Sequence, residues 1–193
     1  MLDNLEKYMV ILASGSPRRR ELMAGLGVNY EVRILPDVDE SYPDTLQGEE
    51  IPLYIAQEKA DAYIPMMQPD ELIITADTIV WLDGEVLGKP RDREDALQML
   101  RTLSGRTHEV FTGVCITTTD WQRSFTAQTE VRFATLSEDE IIYYVDNFKP
   151  MDKAGAYGVQ EWIGFIGVEN ISGSYYNIMG LPVQKLYREL LKV

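Results

Sequence analysis

Two periods of hydrophobicity alternate along this chain. MVILA at 9–13 is a short unbroken apolar run of the kind that forms a buried strand, and behind Pro17 the apolar residues Leu22, Met23 and Leu26 recur at helical spacing. Ser16 suits the N-cap of that helix and Pro17 its first position, where the missing N–H is not needed, while Gly27 is placed to end it. YEVRIL at 30–35 predicts a second strand. The polar, acidic stretch PDVDESYPDTLQGEE at 36–50 is interrupted by two prolines and predicts a loop, and loops of that length are often functional. A helix follows in PLYIAQEKADAYI at 52–64. ELIITADTIVWLDGEVLGKP at 71–90 then supplies two apolar strand segments joined by Asp83-Gly84, a strong hairpin signal. DREDALQML at 92–100 predicts a helix, and THEVFTGVCITTTD with RSFTAQTEVRFATL predicts a long antiparallel pair. SEDEIIYYVDNF at 137–148 predicts a helix capped by Ser137, with Glu140 completing a capping box. The chain ends in a loop KPMDKAGAYGVQ, a strand WIGFIGVEN, a Gly-containing turn and a helix PVQKLYRELL. Strand-helix crossovers mixed with hairpins predict an α/β protein with a mixed sheet, not a doubly wound Rossmann fold.

Composition narrows the classes. At 193 residues with 45% hydrophobic and 25% charged positions, one domain spanning 1–193 is the expectation, with enough chain for a sizeable core and no internal repeat. Eighteen basic against 31 acidic residues give a net charge of −13, which disfavours nonspecific nucleic-acid binding and anionic membranes. A small anionic ligand needs only a local basic pocket. Cys115 is the single cysteine, so no intrachain disulfide forms. The N-terminal residues carry charges where a signal peptide needs an apolar core, and no apolar run approaches the roughly 20 residues that span a bilayer. These features point to a cytoplasmic protein.

Against that charge, Arg18, Arg19 and Arg20 open the first helix. Cations in a first turn oppose the helix dipole, whereas an anion there is welcomed by free backbone N–H groups. Either a negative ligand docks at this turn, or acidic residues pair with the arginines across the fold. Neither G-x-x-x-x-G-K-[ST] nor G-x-G-x-x-G is present, so P-loop and dinucleotide readings fall.

Asp77 stands among Ile73, Ile74, Ile79 and Val80, where an ionised side chain is expensive unless paired or metal-bound. It lines a cleft or makes turn hydrogen bonds at a strand end. Strand alternation sends Asp77 and Thr78 to opposite faces unless the strand bends. Lys59 interrupts an apolar helix face beside Ala56, Ala60 and Tyr63, as a snorkelling lysine or as a ligand-facing one. Lys89 precedes Pro90 and is therefore extended. Asp37, Asp39 and Glu40 form either a solvated cluster or oxygen ligands for a hard divalent cation. His108 and Cys115 make neither a zinc site nor a nucleophilic pair and read as structural. In DKAGAYGVQ, the ring of Tyr157 and the amide of Gln160 could contact a base, with Gly155 and Gly158 giving backbone freedom. A nucleotide polyphosphate with a divalent metal satisfies the cations, the carboxylates and the loop together.

LASGSPRRRELM, TADTIVWLDGEVLGKP, LSGRTHEVFTGV, PMDKAGAYGVQ and GSYYNIMGLP resemble, in the same order, the motif series of the Maf family of nucleoside triphosphate pyrophosphatases. The likeness covers nearly the whole chain. It implies an elongated mixed β-sheet flooring a cleft between two lobes, related to the inosine triphosphate pyrophosphatases. It also implies hydrolysis between the α- and β-phosphates, giving a nucleoside monophosphate and pyrophosphate, with a divalent metal cation (Mg or Mn) as cofactor. By motif, Ser16, Arg18 and Arg19 bind the triphosphate, and Lys59 and Lys89 reach it from the facing wall. Arg20 aligns with no functional position. Asp77 is implied as the proton acceptor that activates water, and Glu40 with Asp77 as metal ligands, Asp39 being the substitute for Glu40. Arg18, Thr78 and Gln160 match the subgroup that prefers dTTP and UTP. A tryptophan in place of Arg18 marks the 7-methyl-GTP branch, and inosine triphosphate is the purine alternative. The resemblance leaves open a nucleotide-binding regulator of septum formation, and dimerisation is common in the family.

Overall fold

MVIL and LIITA are apolar without alternation because both strands lie inside the sheet with both faces covered. The computed structural model describes residues 2–36 and 38–193, so Asp37 of the acidic loop lies outside the described residues. The elements in order are β1 (Met9–Leu12), α1 (Pro17–Gly25), β2 (Glu31–Val32), α2 (Glu50–Tyr63), β3 (Glu71–Leu82), β4 (Glu85–Leu87), α3 (Arg93–Leu103), β5 (Thr107–Thr117), β6 (Gln122–Phe133), α4 (Glu138–Phe148), α5 (Trp162–Gly167), β7 (Val168–Ser172), α6 (Tyr175–Ile178) and α7 (Val183–Leu190). Strand order is β2-β1-β3-β5-β6-β7, with β4 paired to β3. β1 runs parallel to β2 and β3, with Ile11 opposite both Glu31 and Ile73, whereas β3–β4 and β6–β7 are antiparallel. The sheet is mixed, as expected. Parallel neighbours require crossovers, which α1 and α2 supply.

Residues divide into two compact units. One comprises 1–77, 112–127 and 180–193, and the other 78–111 and 128–179. In the first, Ile11, Tyr63 and Ile73 form a buried cluster, and Cys115 packs with Ala56 and Ala60 of α2. Gly113 is required there, because a Cβ would run into the Pro52 carbonyl at the start of α2. The Asn4 amide donates to the Leu190 carbonyl at 2.8 Å, satisfying the C-terminal turn of α7. In the second unit, α3 is capped by Asp92 and α4 by Ser137 with the full capping box. Asp83 and Gly84 both take positive φ, as a two-residue hairpin turn between β3 and β4 demands.

YEVRIL and WIGFIGVEN fold differently from what their patterns predict. YEVRIL contributes only Glu31–Val32 to the sheet. Beyond it the backbone is held by the Tyr63 phenol, which donates to the Arg33 carbonyl at 2.8 Å and accepts from the Leu35 N–H at 3.1 Å. WIGFIGVEN is not one strand: 162–167 is helical and only Val168–Ser172 pairs. Its apolar run hides a helical spacing, with Ile163 and Gly167 buried four residues apart and Phe165 76% exposed. The turn before α7 also holds the short helix α6, capped by Ser174. Among the described residues no helix is long and apolar enough to cross a membrane.

Candidate functional site

The strand β1 ends at Leu12, and the next residues turn directly into α1. The Ser16 side chain caps that helix by accepting from the Arg19 N–H at 3.4 Å, while the Ser16 N–H donates to the Ser14 hydroxyl at 3.2 Å. The Arg19 guanidinium turns inward. Its Nε donates to the Gly180 carbonyl and its Nη1 to the Ala76 carbonyl, both at 2.8 Å. Burial lowers the Arg19 pKa, the charges of Asp77 and Glu40 oppose that shift, and Arg18 adds to it. Arg18, Arg19, Glu40 and Asp77 therefore share one local field. Arg20 bends back toward the Ser14 carbonyl at 3.5 Å, and its own carbonyl accepts from the Tyr30 hydroxyl at 2.7 Å.

Period-two geometry puts Thr75 and Asp77 on one face of β3. Thr75 donates to the Ala56 carbonyl of α2 at 2.6 Å, and Asp77 Oδ1 accepts from Lys59 Nζ, one turn further along α2, at 2.8 Å. The same Nζ lies 2.7 Å from Glu40 Oε1. Lys59 and Asp77 side chains are each 14% exposed, against 54% for Glu40. Lys59 is thus a cation bridging two carboxylates at the edge of the core. Asp39 is committed differently: it accepts from the Ser41 N–H at 2.8 Å and hydroxyl at 2.9 Å, and these bonds hold its pKa below the ordinary value.

Ser16, Arg18, Arg19, Glu40, Lys59 and Asp77 all belong to the first unit, whereas Thr78, Lys89 and Gln160 belong to the second. Within the second unit, Lys89 is exposed just beyond β4. The Gly155 N–H donates to the Gly88 carbonyl at 3.0 Å, tying the end of that hairpin to the AGAYGVQ loop. Gly155 sits at φ +67°, and a Cβ there would press on Val80 at 3.0 Å. Gln160 occupies the third position of a turn closed by the Glu161 N–H on the Gly158 carbonyl at 3.0 Å, and its side chain is partly exposed.

Sequence reasoning missed what holds this loop. Tyr157 is buried, its hydroxyl 2.7 Å from His108 Nε2, and both rings meet Phe133 edge to face. Burial pushes the His108 pKa down to about 4, so the imidazole is neutral. Tyr144, Lys153 and Glu161 form a second set of contacts there. The strand pattern around His108 and the capping box before Tyr144 were legible, but nothing in the spacing announced that these side chains converge on 157–161.

Among the described residues no group of three His, Cys, Asp or Glu side chains could hold a metal ion. The donor set fits a different mode. A hard cation such as Mg²⁺ is commonly bound by one or two carboxylates and completed by water and substrate phosphates. Glu40 and Asp77, both within reach of one ammonium, match that mode and not a closed protein cage.

The family described as Maf-like protein matches residues 9–193. A Bacteroides thetaiotaomicron protein named dTTP/UTP pyrophosphatase is 72% identical over 193 residues, covering 100% of both chains. A protein of the same name from Flavobacterium psychrophilum is 50% identical, covering 96% of this chain and 95% of its own. Among solved structures, the Staphylococcus aureus Ham1 protein matches with a TM-score of 0.52 at 18% identity, over 94% of this chain and 99% of its own, which shows a shared fold.

Proposed function

The chain belongs to the Maf family, and on that premise we propose that it hydrolyses dTTP and UTP to the nucleoside monophosphate and pyrophosphate. The observation that carries this reading is the bridge of Lys59 between Asp77 and Glu40, in the same field as Arg18 and Arg19. In the proposed reaction a water oxygen attacks the α-phosphorus, the bond from that phosphorus to the bridging oxygen breaks, and pyrophosphate departs with the bonding electrons. Asp77 takes the water proton. Its carboxylate suits this because Lys59 fixes its orientation at 2.8 Å and β3 holds its backbone. Arg18, Arg19 and Lys59 offset the charge of the polyphosphate, which is most of what phosphoryl transfer asks of a protein.

A divalent cation, when bound, neutralises phosphate charge and polarises water, and Glu40 with Asp77 would hold it. Lys89 is assigned to the phosphates, and Thr78 and Gln160 to the base, by their positions in the family motifs. A single, buried Cys115 is in keeping with a cytoplasmic location. The direct test is Asp77→Asn. Turnover of dTTP is expected to fall by about 10²- to 10⁴-fold, the range of a positioned proton acceptor. Nucleotide binding, read as a ligand-induced rise in melting temperature, is expected to survive. Undiminished turnover in that variant removes Asp77 from the chemistry.

A further inference from the structure

Gln160 sits in a turn whose two ends are fastened to one hydroxyl, that of Tyr144. Tyr144 of α4 is fully buried, and its hydroxyl accepts from the Gly158 N–H at 3.0 Å and donates to the Glu161 carboxylate. The other carboxylate oxygen of Glu161 lies 3.1 Å from Lys153 Nζ, itself 2.7 Å from Asp152 Oδ1. Gly158 permits this closeness, since a Cβ there would fall 2.8 Å from the Glu161 carboxyl carbon. Gathering a buried lysine and a buried phenol around a partly buried carboxylate is costly unless every member is paired. Here their shared product is a rigid four-residue turn whose partly exposed member is Gln160.

We infer that Tyr144, Glu161 and Lys153 form a clamp that positions Gln160 and so sets which pyrimidine the enzyme prefers. The inference rests on the reading of Gln160 as a contact to the base. A rigid turn lets a carboxamide present its donor and acceptor in one orientation, and a uracil or thymine edge differs from a cytosine edge by that donor and acceptor order. Loosening the clamp lets the amide adapt to either edge, which weakens discrimination more than it weakens hydrolysis. Tyr144, Glu161 and Lys153 are positioning residues in this account, acting through Gln160.

The experiment measures kcat and KM for UTP and CTP in the full chain and in Tyr144→Phe, Glu161→Gln and Gln160→Ala, at a temperature below the melting transition of each. Tyr144→Phe is expected to narrow the UTP to CTP ratio of kcat/KM by about tenfold, the scale of one lost charge-assisted hydrogen bond, mainly through a higher KM for UTP. Glu161→Gln keeps an acceptor for Tyr144 and should narrow it less. An unchanged ratio in Tyr144→Phe, with a collapsed one in Gln160→Ala, overturns the clamp and leaves the reading of Gln160 intact. A narrowed ratio in Tyr144→Phe alone removes Gln160 as the base contact and with it a clamp that acts through Gln160. Unchanged ratios in both overturn both. If Tyr144→Phe does not fold, Lys153→Met carries the same expectation of a narrowed ratio, and an unchanged ratio there overturns the clamp.

Discussion

Lys59 places one positive charge between two carboxylates, and the cost of removing it follows from that. Without the ammonium, Glu40 and Asp77 repel, and the orientation of Asp77 is lost. Lys59→Met is expected to lower kcat/KM for dTTP by about 10- to 100-fold, measured by steady-state kinetics. His108 makes a prediction about pH. Folded, its imidazole titrates near 4, well below the ordinary 6.5, so between those values the unfolded chain binds a proton that the folded chain does not. Its contribution costs nothing above the unfolded value and destabilises progressively as pH falls through that window. Between pH 7 and 5 the loss is about 2 kcal/mol by linkage. Urea denaturation at the two pH values should show His108→Gln losing that much less stability than the unaltered protein. At this scale the sequence showed which residues carry charge but not their partners: Arg19 was legible as a cation at a helix start, while its bonds to Ala76 and Gly180 join positions far apart in the chain.

At the scale of elements, backbone approach distinguishes the positions where sequence reading succeeded from those where it did not. Ser137 with Glu140, Ser16 with Pro17, and Asp83-Gly84 are local signals, and each element they mark stands where the pattern placed it. The apolar run at 162–167 lacks such a signal. It turns helical because Gly164 allows α5 to pack directly on the Val159 carbonyl, a contact that period alone does not encode. Gly113 makes the parallel case in a strand: β5 passes so close to Pro52 that a methyl group has no room. Gly113→Ala is expected to cost about 3 kcal/mol, the upper range for overpacking, and calorimetry should show a clear drop in melting temperature. Because Pro52 lies in the first turn of the helix that carries Lys59, activity at low temperature should fall as well.

For the whole molecule, a net charge of −13 and a substrate with several negative charges are reconciled by local organisation. The cations proposed to meet the phosphates are Arg18 and Arg19 at one helix start and Lys59 beside Asp77. The mixed sheet was legible from crossovers and hairpins and two lobes were implied by the family resemblance, whereas the strand order and the boundary between the two units were not, since β3, β5 and β6 each run through both. Ligand linkage offers a prediction at this scale. At about 100 times its dissociation constant, dTTP should stabilise the protein by about 2.7 kcal/mol, and Asp77→Asn should keep most of that gain.

The reaction itself is tested most directly by following UTP and dTTP with Mg²⁺ or Mn²⁺ by phosphorus NMR. The triphosphate resonances are expected to give way to a nucleoside monophosphate and pyrophosphate in equal amounts. Nucleoside diphosphate with inorganic phosphate, or no change with either cation, would contradict it.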